Sequence, residues 1–212
     1  MKKLLVTIVT VFIFSSSLLA QVDVKVNAFG LFFKNYGMGA EYIINDEISA
    51  GAFINYDSYR DLGIFLDVLS GGSANTVYSS FTFSPEFRYY INPEDGADNR
   101  YFSAYLRYQS ANWTDLETGI PDPQGNNIET LYDVDNKGFA IGIGAGKKWV
   151  TNSGLYFETY YGVGKFLTNS ITYSNSAVEN KMKTNGNEDE YEFYAQWDLR
   201  FHISIGYRFG GY

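Results

Sequence analysis

Cysteine is absent from the 212 residues, which excludes a disulfide framework and argues against a lipoprotein anchor. Only four prolines occur, and no Pro- or Ser-rich linker divides the chain, so a single domain accounts for its length. Histidine occurs once, as His202. Beyond the N-terminus no stretch approaches the roughly 18–20 consecutive apolar residues of a membrane helix. The start, MKKLLVTIVTVFIFSSSLLAQ, places Lys2 and Lys3 before an apolar run from Leu4 to Phe14, then small polar residues and Ala20. That run is too short to span as a helix, and its layout is that of a secretory signal cleaved after Ala20, although Leu18 is unusual at the minus-three position. The expected division is a signal at 1–20 and one domain at 21–212. Removing the two signal lysines from 16 basic and 24 acidic residues leaves 14 against 24, a formal charge of −10. A basic groove for nucleic acid is excluded.

What the chain has in quantity is 19 Tyr, 17 Phe and 21 Gly, arranged in alternation. The segment YEFYAQWDLRFHISIGYRF, residues 191–209, is apolar or aromatic at every odd position and polar or charged at most even ones. Period two of this kind marks antiparallel strands. Eight such segments are read: 24–34, 38–45, 48–56, 80–91, 101–109, 138–150, 154–164 and 191–209. The first is the least regular, because its apolar parity changes at Ala28 and Phe29, where a bulge is expected. Links 45–47, 92–100 and 151–153 are short, and those at 57–76, 111–136 and 168–190 are long. The tight link at Asn35–Gly37 is the exception on the long side. Short periplasmic turns alternating with long extracellular loops characterise a bacterial outer-membrane barrel.

Alternation alone does not say which face points inward, and a soluble lipocalin-like barrel would carry its apolar face inside. Three features favour the inverse. The apolar faces hold almost no charge, Lys147 excepted, and a Lys or Arg facing lipid at mid-bilayer costs roughly 2–4 kcal/mol. Large aromatics sit at both ends of those faces: Tyr42, Tyr89, Trp149 and Tyr207 at one, and Tyr56, Tyr108, Phe139 and Tyr161 at the other, as interfacial girdles do. The opposite faces are rich in Gly, Ser and Tyr with nearly balanced charge. The fold expected is all-β, an eight-stranded antiparallel up-and-down transmembrane barrel. Its interior network consists of Glu41, Glu86, Arg88, Arg107, Lys148, Glu158, Asp198, Arg200, His202 and Arg208. An interior of about eight strands is filled by side chains, so these charges must pair.

The signal, PEFRYYI (85–91), EYIIN (41–45) and ISIGYRF (203–209) resemble small OmpA- and OmpX-like outer-membrane barrels, and above all the uncharacterised outer-membrane β-barrel domains among them. The resemblance covers essentially all of 21–212. It implies residence in the cell outer membrane among its lipids and lipopolysaccharide. It also implies insertion by the outer-membrane assembly machinery, which reads a final strand of alternating apolar residues ending in an aromatic. Phe201, Ile203, Ile205, Tyr207 and Phe209 fit that signal, with Gly210, Gly211 and Tyr212 added after it.

No enzyme is expected. Asp198, His202 and Ser204 share a face, but same-face neighbours stand roughly 6–7 Å apart along a strand and here point into the lumen, away from acyl chains. IGIGAGKKW fails as a nucleotide loop, because Ile141 stands where Gly is needed and Lys148 where Ser or Thr should follow Lys147. The run 111–136 carries Asp115, Glu117, Asp122, Glu129, Asp133 and Asp135 without an EF-hand pattern, and reads as a solvated acidic loop. No cofactor is expected. The role expected is structural or interactive, through acidic loops and an unidentified extracellular partner. A narrow channel or small-solute transporter is the alternative, and a lipid A-modifying enzyme a remoter one.

Overall fold

The computed structural model describes residues 21–60, 77–94, 96–121, 125–184 and 196–210. Eight antiparallel strands close into one barrel in sequence order: β1 (Val22–Asn27), β2 (Asn35–Ile43), β3 (Ile48–Arg60), β4 (Val77–Ile91), β5 (Asn99–Pro121), β6 (Asn127–Val150), β7 (Leu155–Tyr173) and β8 (Trp197–Phe209). Two helices interrupt this order, α1 (Ala28–Leu31) and α2 (Ser176–Thr184). β1 closes the ring against β8 from Val22↔Phe209 to Asn27↔Ser204. The 1–20 signal and the stretch Tyr191–Ala195 lie outside the described residues, as do Asp122, Gly211 and Tyr212.

The first strand differs from expectation. It ends at Asn27, not Lys34, and the parity change at Ala28 is a helical turn, not a bulge. Asn27 caps that turn, its side-chain oxygen accepting from Gly30 N at 3.1 Å. Lys34 leaves the turn with φ of 55°, and Asn35–Gly37, read as a link, already belong to β2. α1 packs against β8 and β2 above the point where the β1–β8 ladder stops.

The two later long links also differ. The acidic stretch 111–136 is not a loop: β5 and β6 stay paired from Trp113↔Val134 to Pro121↔Asn127, with one register shift at Trp113/Leu116. β7 continues to Tyr173, still paired with Val134, and α2 follows. Strands of 23, 24 and 19 residues therefore stand beside others of 6 to 15. β5–β6–β7 thus outrun their neighbours and rise as a wall at one end of the barrel. Because β7 does not stop at Gly164, Tyr161 stands low on that strand, opposite Ala145, and not at the long-hairpin end as expected.

The other end is tied off by short turns. Asn45 Oδ1 accepts from Glu47 N at 2.9 Å and Ile48 N at 2.8 Å. The 92–98 turn folds across the barrel mouth, held by Ala97 N to Asp46 O at 2.9 Å and by Arg208 donating to the carbonyls of Gly96 (2.8 Å) and Ala97 (3.1 Å). Ala97 is fully buried there.

Candidate functional site

The strands put one parity inward, and the inward residues form two tiers. In the tier nearer the short turns, Glu41 accepts from Ser49 Oγ (2.6 Å), Arg88 Nη1 (2.9 Å), Lys148 Nζ (2.8 Å) and the Tyr90 hydroxyl. Glu158 accepts from Lys25 and twice from Arg88, at 2.8 and 3.2 Å. Arg88 Nε donates to Glu86 at 2.7 Å. Asp23 accepts from Lys148 at 2.8 Å and from Arg208 Nε and Nη2 at 2.8 and 2.9 Å. Lys25, Arg88, Lys148 and Arg208 thus face Asp23, Glu41, Glu86 and Glu158, four charges of each sign, all buried. The tier is neutral as a unit, as ions withdrawn from water must be.

Tyrosines fill the space between the ion pairs. The Arg88 guanidinium lies 4.3 Å from the Tyr101 ring centre, and Lys148 Nζ lies 5.1 Å from those of Tyr90 and Tyr156. Glycines make room for the rings: a Cβ on Gly142 would stand 2.3 Å from Tyr105 Cζ, and one on Gly144 2.3 Å from Tyr160 Oη. A void of about 10 Å³ remains between Lys25, Glu41, Phe53, Glu86 and Arg88, room for about one water.

The second tier lies toward the long hairpins. Asp198 accepts from Tyr105 Oη at 2.9 Å and from Arg107 Nη1. Arg200 stacks over the Tyr105 and Tyr160 rings at 4.4 and 5.1 Å. Asp57 accepts from Asn35, from Asn55 at 2.9 Å and from Ser80 at 2.6 Å. His202 rests against Phe53 and Tyr160, ring centres 4.6 and 5.7 Å apart.

All ten polar residues singled out from the sequence point inward. Glu41, Glu86, Arg88, Lys148, Glu158 and Arg208 meet in the first tier; Arg107, Asp198, Arg200 and His202 stand in the second. Asp23 and Lys25 were missed, although the alternation Val22-Asp23-Val24-Lys25-Val26 announces them. Asp198, His202 and Ser204 are not joined by hydrogen bonds: the Asp198 oxygens are taken by Tyr105 and Arg107, and the buried Ser204 Oγ has no partner among the described residues. In the acidic hairpin, Asp133 accepts from Asp115 N at 3.2 Å and Asp135 from Asn112 at 2.9 Å. No metal-binding cluster of acidic or histidine side chains forms among the described residues.

The outward face is apolar along the barrel proper. Ile143 is 66% exposed, and Phe83, Phe87, Phe102, Ile141, Ile205 and Phe209 are exposed beside it. Lys147 lies with Nζ 5.0 Å from the Trp149 ring, at the rim of this band. The terminal residues Phe201, Ile203, Ile205, Tyr207 and Phe209 belong to the same outward face. Higher on the same strands the pattern inverts. Outward positions become mostly polar: Ser110 and Asn112 on β5, Glu129, Asp133, Asp135 and Lys137 on β6, with Leu131 the apolar exception, and Ser170 and Thr172 on β7. Inward positions there become Trp113, Leu116, Tyr132, Val134, Ile171 and Tyr173. Trp113 packs on Tyr78 and Tyr132 on Tyr173, ring centres 5.0 and 6.3 Å apart. α2 lies against this wall with Val178 fully buried, and Lys181 Nζ donates to Thr118 Oγ1 at 3.1 Å and to Gly119 O.

Among solved structures the chain is similar to a major outer membrane protein from Thermus thermophilus, at 14% identity and a TM-score of 0.46, over 90% of this chain and 98% of that one. It is similar to Acinetobacter baumannii CarO at 14% identity and 0.43, over 91% and 97%, and to CarO2 at 14% and 0.45, over 90% and 98%. No curated protein matches it. A family model described as a protein of unknown function, DUF3575, matches residues 4–209, and the chain belongs to that family.

Proposed function

We propose that the chain is an integral outer-membrane barrel with a closed lumen, whose working surface is the projecting β5–β6–β7 wall. One observation carries this reading: along single strands, apolar-out alternation gives way to polar-out alternation at a common level. On β6 the apolar outward set runs from Phe139 to Trp149. Ten steps of about 3.4 Å at a tilt of 35–45° give a band of roughly 24–28 Å, close to the height of the apolar belt on outer-membrane barrels. Tyr56, Phe81, Tyr108, Phe139 and Trp197 border it above, and Tyr42, Tyr89, Trp149 and Tyr207 below. In water an exposed apolar surface of this extent is unstable to association; in lipid it is the required solvent match.

In this reading the partners are outer-membrane lipids and lipopolysaccharide, the assembly machinery that recognises β8, and an extracellular ligand of the acidic wall. The small OmpA- and OmpX-like barrels serve this reading as a functional analogy. The first ion-pair tier, roofed by tyrosines and floored by the 92–98 turn, supports a barrel that does not conduct. It also leaves the glycine-lined side of β6 and β7 filled, against the channel alternative. No catalytic role is assigned.

Three measurements test the reading. Membrane fractionation is expected to recover the protein with the outer membrane, extractable only by detergent; soluble periplasmic protein would overturn the assignment. Planar-bilayer recordings of the purified barrel are expected to be silent, and large steady conductance would overturn the closed lumen. Unchanged lipid A in mass spectra with and without the gene is the expected result for a barrel without lipid-modifying activity.

A further inference from the structure

Below the upper aromatic border, the outward strand positions of the described residues carry two charged side chains, and both are cations: Arg100 on β5 and Lys147 on β6. They are direct cross-strand partners, Arg100↔Lys147. Side chains so placed leave their strands roughly 4.5–5.5 Å apart, and like charges there repel. Neither has a carboxylate within 4.0 Å among the described residues. Asp98, two residues before Arg100, is buried in the 92–98 turn, where it accepts from Glu94 N at 2.7 Å. Lys147 Nζ leans toward Trp149, and Arg100 is the second residue of β5, so the pair stands at the short-turn border of the apolar band.

The surroundings continue the arrangement across three strands. Thr159 on β7 is the outward residue opposite Lys147. One outward step farther into the band, Phe102, Ala145 and Tyr161 stand side by side on β5, β6 and β7. Phe102 and Tyr161 are each 60% exposed, and only the Ala145 methyl lies between them. A slot between two rings therefore runs onto a pair of cations.

We propose that this is a binding site for one anionic phospholipid of the leaflet at the short-turn end, its phosphate between Arg100 and Lys147 and an acyl chain over Ala145. The inference rests on the outer-membrane reading above and names a lipid for it. The guanidinium fork matches two phosphate oxygens, and the ammonium and the Thr159 hydroxyl can serve the others. A phosphate there also relieves the repulsion between the two cations. The site favours a headgroup of net negative charge, because no carboxylate stands there to receive the cationic half of a zwitterionic one.

Native mass spectrometry of the full chain, in micelles holding equal phosphatidylglycerol and phosphatidylcholine, tests it. The wild type is expected to retain one phosphatidylglycerol, with a preference of about 25-fold. Equal retention of the two lipids would overturn the proposal. Arg100→Gln with Lys147→Gln is expected to bring the preference to parity, whereas Lys137→Gln, a cation on the wall, leaves it unchanged. A preference that survives in the folded double variant would overturn the site. Ala145→Phe fills the slot, keeps both charges and is expected to lower retention about three-fold. Unchanged retention there would reduce the site to diffuse attraction and overturn it. Excess inorganic phosphate is expected not to displace the lipid, and displacement would refute the lipid assignment. Recovery as soluble periplasmic protein would remove the outer-membrane reading and this inference together. A chain that fractionates with the outer membrane yet shows no lipid preference sinks this inference alone.

Discussion

Glu158→Gln removes one charge from the centre of the first tier with almost no change in shape, and its cost can be worked from the partners it leaves. Lys25 has Glu158 as its one salt-bridge partner among the described residues, whereas Arg88 keeps Glu41 and Glu86. The variant turns a neutral cluster of eight charges into one with a surplus cation at Lys25, which is 7% exposed. Stranding one member of a buried pair costs roughly 3–5 kcal/mol. Lys25→Met with Glu158→Gln restores neutrality, and the new amide oxygen can still accept from Arg88. Replacing both partners is close to neutral in other buried pairs, so the double variant is expected to lose only about 1–2 kcal/mol. Lys25→Met alone leaves Glu158 paired with Arg88 and is expected to cost about 1 kcal/mol, so the coupling read from the double-mutant cycle is about 2–5 kcal/mol. Urea unfolding from lipid vesicles, followed by the fluorescence of Trp113, Trp149 and Trp197, measures all four corners, with an unchanged slope as the check on two-state behaviour. A Glu158→Gln loss below about 1 kcal/mol, or a double variant as unstable as the sum of the singles, would refute the account of a mutually neutralised plug.

Three further outcomes follow from other levels of the structure. Ile143→Arg and Leu131→Arg share strand and outward parity and are 66% and 61% exposed. In vesicles the first is expected to cost roughly 2–4 kcal/mol and the second to stay within about 0.5, and equal costs would misplace the membrane boundary. Gly142→Ala drives a Cβ into Tyr105, which Asp198 holds in place, for a loss of about 1–3 kcal/mol in the same urea assay; Tyr105→Ala in the same chain should recover part of it. Lys181→Ala removes the contacts of α2 with Thr118 and Gly119. Amide exchange in α2 is expected to quicken roughly five-fold, for about 1 kcal/mol lost, while β8 amides keep their rates.

The barrel was legible wherever one strand face was uniformly apolar. Phe81-Phe83-Pro85-Phe87-Tyr89 and Phe201-Ile203-Ile205-Tyr207-Phe209 declare the strand by alternation, and the lack of charge on that face, with charges on the other that must pair, declared the orientation. The inward charges followed by parity alone, and so did their need to pair; their partners did not, since Arg88 and Glu41 are 47 residues apart and Asp23 and Arg208 185. β1 was misread because six residues give little periodicity and the helical turn at Ala28 scrambles the parity after it. The hairpin 111–136 hid for a different reason: along this stretch both faces are mixed, and six acids outweigh the inverted apolar set of Leu116, Tyr132 and Val134. α2 did carry a local signal. Asn175 Oδ1 accepts from Ala177 N at 2.9 Å, a cap written in NSAVENKMK before any tertiary contact is considered.

The sequence distances within the plug bear on how the barrel closes. β1 brings Asp23 and Lys25, and their partners sit on β6, β7 and β8, the last strands to be added along the chain. Until β1 meets β8 in the register Asp23↔Arg208, the chain holds Lys148, Glu158 and Arg208 without these counter-charges. A slip of one residue at this seam turns Val22, Val24 and Val26 inward and sends Asp23 and Lys25 to the apolar outer face, so every pair made by β1 fails at once. Shifting by two keeps parity but moves Asp23 about 7 Å from Arg208, beyond the reach of a hydrogen bond. A short strand with three valines outward has little apolar area with which to choose its register. The ion pairs made by Asp23 and Lys25 add discrimination between registers that those valines cannot supply.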